Sequence, residues 1–440
     1  ISSLSADLLF SESPIIRISE AYEENANKSY IYTQSELDEL LYDNGFYQKI
    51  LECAETCSAM GGGYIKIAWD SDVSKYPLLV VEQVDNAMPE FKFGILTQVK
   101  FWSIIKQDKN NTYRLFEIYA NNGTITYELY RGTDSKLGIM VDLYSIDETQ
   151  NYTNIDLGVN YLLAVYIPNI LPNRLKRGSC LGRSDYCGLE GLMDSLDETY
   201  SSWMRDIAIS QGKILVPSEY LSKNENGFRY NLDRMVYAQL DIDPISADGK
   251  MTPVQFAIRA DEFQKTTLEL TTKIITSAGY SPQSMGLNIN GSAESGTALN
   301  IRERKSIVTK NKKESYWETA IKKLIQGILL VYKIFLNGMV ETDVNITVQF
   351  SDSLSDDISQ KSEVLEKINR AVCASTETKV RYLHTEWSDE EINEEVDKII
   401  RENNLTPLLE PDSINLDNIN MNDDESINDD ESTNNEEFTS

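Results

Sequence analysis

The sequence predicts an α+β protein assembled from several modules, and three observations carry that prediction. Between Tyr64 and Gly132 apolar and polar residues alternate through a series of short segments, the period of β-strands. From Leu189 to Ile207, and again within 257–279, apolar residues recur at helical spacing. Residues 297–336 read as one uninterrupted helix, about 40 residues or ~60 Å long. With 440 residues, 41% of them hydrophobic, the chain can bury a sizeable core in two or more modules.

Along the chain, YTQSELDELLYDNGFYQKILECAETCSAM (32–60) places Leu37, Leu40, Leu41, Phe46, Ile50 and Leu51 at roughly helical spacing, with a turn near Asn44-Gly45. The glycines at 61–63 stop it. YIKIAWD (64–70) then alternates as a strand, and further strands follow at 77–84, 91–107, 112–120 and 124–132. Asn122-Gly123 supplies the positive φ that a tight hairpin needs. Residues 30–170 therefore form a mixed domain with an antiparallel meander. A Pro/Asn/Gly connector (166–186) leads to an amphipathic helix carrying Leu189, Leu192, Met193, Leu196, Tyr200, Trp203, Met204 and Ile207. Ser184 or Asp185 is expected to cap it and Gly212 to end it. KILVP (213–217) is a short strand, and a polar Gly/Asn-rich segment runs to Phe256. A second helix over 257–279 presents Phe263, Leu268, Leu270, Ile274 and Ile275 and stops at Gly279. The two helices bracket 213–256, as a stalk brackets a head.

A loop at 280–296 precedes the long helix. Nine Lys/Arg and three Glu fall within 297–336, and the first half is charged nearly all round, so it is expected to face something outside its own core. The second half is apolar through Ile321, Leu324, Ile325, Ile328, Leu329, Val331, Tyr332 and Phe335. NITVQFSDSLSDD (345–357) holds a strand and a helix start. Residues 358–371 and 376–403 read as two helices, with SDEE (388–391) as a capping box. Past Asn404 the Asn/Asp/Glu/Ser composition reads as a disordered acidic tail.

The net charge of −29 argues against a protein that coats nucleic acid with a basic surface. The charge is uneven. From Asp389 to Ser440 eighteen Asp and Glu face only Lys398 and Arg401, a net −16. Cys53, Cys57, Cys180, Cys187 and Cys373 fit no common metal spacing, and His384 is the single histidine, so no metal site is expected. Free thiols are the better reading than a disulfide framework. ISSLSADLLF has no basic n-region, and Asp7, Glu12 and Arg17 interrupt its apolar run, so it does not read as a signal peptide. The longest apolar run, LIQGILLVYKIFL (324–336), is too short to span a bilayer. The expectation is a soluble intracellular protein with no membrane partner.

NGSAESGTALNIRERK (290–305) suggests a phosphate cradle, because small residues run into a basic helix. Gly291 and Gly296 have the spacing of a nucleotide-binding loop, but Thr297 stands where the lysine belongs and Ala298 where the Mg²⁺-binding hydroxyl belongs. No cofactor is expected. His384 reads as a surface or capping residue, and without it no Ser-His-Asp or Cys-His set can be built. Asp194, Asp197 and Glu198 read as a solvated helix face.

The order of elements resembles the portal proteins of tailed double-stranded-DNA bacteriophages, especially the long-tailed phages of Gram-positive hosts. The resemblance rests on LGRSDYCGLEGLMDSLDETYSSW (181–203), on IITSAGYSPQSMGLNINGSAESGTALNIRERK (274–305) and on the helix beyond. Ser295, Gly296, Ala298 and Leu299 are similar to the start of the long helix in that family. The resemblance covers 30–405. It implies a portal-type fold: an α/β wing (1–185), a two-helix stem (186–212 and 257–279), a small α/β clip (213–256), a tunnel loop (280–296), one very long wing helix (297–340), and a strand and helical crown (341–405). It implies a non-enzymatic ring, usually of twelve subunits, at one capsid vertex of the virion, assembled in the bacterial cytoplasm. DNA would pass through it non-specifically during packaging and ejection. The partners would be further copies of the chain, the terminase large subunit, a head–tail adaptor, and the major capsid and scaffold proteins. The tunnel loop would present Ser284, Gly286, Leu287, Asn288, Asn290, Gly291, Ser292, Glu294 and Gly296. It holds no Lys or Arg, which suits a bore that must not grip phosphates. Arg302, Arg304, Lys305, Lys310, Lys312 and Lys313 would approach DNA or acidic groups of a neighbouring subunit. Two alternatives stay open from the residues alone: another virion component, such as a minor capsid or scaffold protein, and a nucleic-acid-processing enzyme.

Overall fold

The computed structural model describes residues 1–22, 26–70, 72–108, 111–210, 213–217, 223–224, 227–228, 237–240, 252–254, 258–287, 296–350, 358–384, 387 and 389–402. The chain divides into two units, Ile1–Gln360 and Lys361–Ser440. The first opens with α1 (Ser2–Phe10), β1 (Ile15–Ile18), α2 (Lys28–Asp43) and α3 (Phe46–Met60). The α2–α3 turn is the expected one, with Gly45 left-handed at φ 60, and Gly61 ends α3 at φ 91. Next come β2 (Gly62–Ala68), β3 (Leu78–Glu82), β4 (Ala87–Lys92), β5 (Ile95–Gln107), β6 (Thr112–Ala120), β7 (Thr124–Thr133), β8 (Lys136–Val141), β9 (Ile155–Asp156) and β10 (Ala164–Pro168). β4 to β8 form the antiparallel meander in sequence order, with β9 added to β7; β10, β2 and β3 form a separate antiparallel sheet.

β2 explains how these layers stack. Its alternation suggests a strand with one wet face, yet both faces are covered. A Cβ on Gly63 would meet the Cys53 and Cys57 sulfurs of α3 at 2.8 and 2.9 Å, so that face lies against helix. On the other face Tyr64 packs edge-on to Phe101 of β5, with ring centroids 5.5 Å apart. Lys66 on the same face is buried because Glu82 at 2.8 Å and Glu117 at 3.0 Å bracket its ammonium. The small sheet is thus sandwiched between helices and the meander.

After α4 (Glu190–Ile209) come β11 (Lys213–Pro217), β12 (Lys223–Asn224), β13 (Gly227–Phe228), β14 (Tyr237–Leu240) and β15 (Thr252–Val254). β11 pairs parallel with β14 and antiparallel with β15. Only strands occur among the described residues of this insertion. α5 (Ala260–Ala278) follows and ends at left-handed Gly279, as expected. α6 (Gly296–Phe335) is the anticipated 40-residue helix. Its second half buries Ile321, Leu324, Ile325, Ile328 and Leu329, and Gly327 permits close approach to the small sheet, where a Cβ would meet Ile67 Cδ1 at 2.6 Å. β16 (Ile346–Gln349) returns to pair antiparallel with β1, a contact that no local pattern announces.

α7 (Ile358–Ala371), α8 (Thr376–Leu383) and α9 (Asp389–Glu402) complete the chain's described helices. The helical stretch expected over 376–403 is two helices, and the second begins at Asp389, within the expected capping-box sequence. His384 is the C-cap of α8 and stacks on Trp387 with centroids 3.7 Å apart. Ser388 of the proposed capping box, Gly212 and the acidic tail lie outside the described residues. The cap of α4 is also corrected: the helix begins at Glu190, so Leu189 occupies the cap with no side-chain cap bond, and Ser184 and Asp185 lie too far upstream to serve. Among the described residues no helix is long and apolar enough to cross a membrane.

Two expectations follow from this packing. Gly327→Val would place branched carbons against Ile67 and Tyr161 in a filled core. It should cost about 1–3 kcal/mol in denaturant titration, whereas in Gly327→Ala a gain of about 1 kcal/mol in helix propensity offsets much of the clash. Burial is the first cause that pushes the Tyr127 and Tyr166 hydroxyls up to about 12. Unfolded tyrosine ionises near pH 10, so their contribution is complete below about pH 10 and is lost as pH rises through about 12. The last part of the tyrosinate absorbance rise, to which these two contribute, should therefore coincide with unfolding in that window.

Candidate functional site

The sequence singles out the paired helices and the loop at their base, and the structure shows what holds them. α4 and α5 pack on each other. Trp203 stacks on Phe263 at 6.1 Å with rings 9° from parallel, and Arg259 donates twice to Asp206 Oδ2, at 3.1 and 3.0 Å. Little else covers them. α4 has no buried residue despite its apolar stripe: Tyr200 is 48% and Met204 51% exposed, and Ile207 and Leu268 are similarly open. The pair carries eight Asp/Glu against Arg205, Lys265 and Lys273.

At the base, Leu8 of α1, Leu189 and Ile274, Ile275, Ala278 and Tyr280 form a small apolar cluster. Beside it lies a buried polar network. Asp185 Oδ2 accepts from Ser58 Oγ at 2.7 Å, Tyr280 hydroxyl at 2.7 Å and Lys313 Nζ at 2.6 Å; its Oδ1 accepts from Asn169 at 2.8 Å. Lys313 also donates to Ser5 Oγ at 2.7 Å and to Tyr280 at 2.9 Å. The two charged side chains are 3% and 0% exposed. Burial lowers the Lys313 pKa, opposed by Asp185, and burial raises that of Tyr280. One ion pair therefore joins α1, α3, the strand end at Asn169, the connector before α4, the segment after α5, and α6.

This revises the reading of the six basic residues. Lys313 and Lys310 are buried and are withdrawn as surface cations; Lys310 lies 3.6 Å from Glu314. Lys305 donates to the Thr276 carbonyl of α5. Arg304 and Lys312 are exposed. Arg302 lies on α6, but its side chain is outside the described set. The sequence did contain a signal: Glu303, Ser306, Lys310 and Lys313 continue, at helical spacing, the buried line of Trp317, Ala320, Ile321 and Leu324. Its polar residues read as solvated because their partners are distant in sequence. Asp185, Tyr280, Ser58 and Asn169 were missed for the same reason.

Of the loop residues, Ser284 sits in a 3₁₀ turn with its hydroxyl 2.8 Å from that of Ser306 on α6. Gly286 is left-handed at φ 78, and Leu287 packs against the small apolar cluster. Gly296 is the first residue of α6. Asn288, Asn290, Gly291, Ser292 and Glu294 lie outside the described residues. Among the described residues no group of three or more His, Cys, Asp or Glu is placed to hold a metal.

Lys313→Met would leave the Asp185 carboxylate buried and unpaired. It should cost about 3–5 kcal/mol in urea titration, and adding Asp185→Asn should recover part of that loss.

Residues 1–404 match the family described as phage portal protein, SPP1 Gp6-like. No curated protein matches significantly. Two solved structures are similar in fold at 12% identity. One is the neck of an empty gene transfer agent particle computed with C6 symmetry, at TM-score 0.47, covering 86% of this chain and 88% of that one. The other is the virion of a native gene transfer agent particle, at TM-score 0.45, covering 87% of each. With its family match running from the first residue through the last described helix, the chain belongs to the SPP1 Gp6-like phage portal proteins.

Proposed function

We propose that copies of this chain, twelve in number, close into a ring at one capsid vertex and form the channel through which double-stranded DNA enters and leaves. The observation that supports this most directly is α4, a 20-residue amphipathic helix with no buried residue. Near the base its stripe packs through Leu192, Met193 and Leu196 against the cluster of Leu8 and Tyr280, but farther along Tyr200, Met204 and Ile207 stay half open, and they are covered when α4–α5 pairs stand side by side around an axis. In this reading α4 and α5 are the stem. The insertion between them is the clip, which docks the terminase large subunit and then a head–tail adaptor. Residues 280–296 are the tunnel loop. Residues 341–405 include the crown, and the meander domain is the wing, set against major capsid and scaffold proteins. Assembly takes place in the host cytoplasm.

The charge pattern favours passage over retention. DNA presents one negative charge per ~1.7 Å of axis, and each cationic contact, repeated around a ring, adds to the hold on it. The stem helices carry a net −5 and the loop has no Lys or Arg. Arg304 and Lys312 are then better matched to carboxylates of the next subunit than to a moving duplex. The role is mechanical and structural, without catalysis.

Negative-stain imaging of the purified protein tests this reading. Closed annuli with a central hole wide enough for duplex DNA are expected; a population of monomers or open chains under all assembly conditions would overturn it.

A further inference from the structure

The meander sheet has two apolar features at diagonally opposite corners, and neither is covered among the described residues of the subunit. The first is β8. It is an edge strand, paired only with β7 through Leu129–Val141, Tyr130–Met140 and Arg131–Ile139. Ile139 is 61% and Met140 59% exposed, although consecutive residues point to opposite faces. Both faces of this strand are therefore open, and so is its outer edge. The other edge of the same sheet is blunted: β4 carries Pro89, which removes a backbone donor. β8 contains no proline.

The second feature is a groove of about 620 Å³ between the β4–β5 turn, β10 and α6. Phe91, Ile95, Leu96, Tyr166 and Cys180 line it, and Lys323 is the one charged residue among its lining. The turn that borders it lies at the opposite end of the sheet from the β7–β8 turn, because β5, β6 and β7 run antiparallel in succession. A ring built head to tail needs two different, complementary patches on opposite sides of each subunit. An unpartnered apolar strand at one corner and an apolar groove at the other satisfy that need. The charges agree as well: Asp142 follows β8, and Lys323 stands in the groove.

We propose that β8 of one copy seats in the groove of the next, a contact between wings additional to any contact between stems. The proposal rests on the ring reading above and names the surface through which neighbouring wings recognise each other.

Cys180 in the groove allows a direct test. In Met140→Cys, mild oxidation of assembled protein should give a ladder of disulfide-linked multimers on a non-reducing denaturing gel. The ladder should vanish in Met140→Cys/Cys180→Ser. Closed rings that give no Cys180-dependent ladder overturn this contact and leave the portal reading intact; failure of the unmodified protein to form rings overturns both. As a second measure, Ile139→Asp/Met140→Asp should leave subunit melting unchanged, since both side chains are exposed, while ring yield falls about tenfold or more, because each interface would bury carboxylates against apolar walls. Normal ring yield in that variant overturns the proposal.

Discussion

The rest of the protein depends on one ion pair. Lys313 and Asp185 are separated by 128 residues and withdrawn from water, and they hold each other at 2.6 Å. A charge in such a place is tolerated only with its hydrogen-bonding capacity filled, and here Ser5, Ser58, Asn169 and Tyr280 fill it. Every one of these residues lies on a different element. The direction in which α4 leaves the sheet domain and the point at which α5 returns are therefore fixed against α6 by directional bonds. An apolar contact alone would tolerate rotation; this arrangement does not.

That rigidity complements the openness of the helix pair. α4 buries nothing, and α5 buries Ile274, Ile275 and Ala278 at its C-terminal end. The polar joint specifies where the helices start, and farther along their apolar sides stay open. Burial and exposure are thus divided along each helix: the end near the joint is covered by the rest of the subunit, and the remainder is open.

Local periodicity disclosed most of the elements. The 40-residue helix, the meander, the Asn44-Gly45 turn and the stop at Gly279 all follow from patterns within a few residues of one another. What stayed hidden depends on distant partners. Lys66 looked like the wet side of a strand because Glu82 and Glu117 arrive from other strands. Lys310 and Lys313 looked like surface charge because their helical line only becomes a core when α1, Asp185 and Tyr280 close over it. Asp185 looked like a helix cap, a role open to any short acidic residue near a helix start, but the helix begins five residues later, at Glu190. The start of α9 was legible in the SDEE sequence, whereas the end of α8 at His384, which stacks on Trp387, has no proline or glycine to announce it.

The pairing of β1 with β16 bears on synthesis. Ile16 and Ile18 leave the ribosome early, yet their strand partners Val348 and Ile346 emerge only after all of α6. A nascent polypeptide broken off before that point has an unfinished sheet and an exposed early strand, however well its preceding segments have formed. Every copy in which β1 is paired is therefore one whose synthesis has passed β16, so this two-stranded sheet couples an early segment of the chain to the completion of α6.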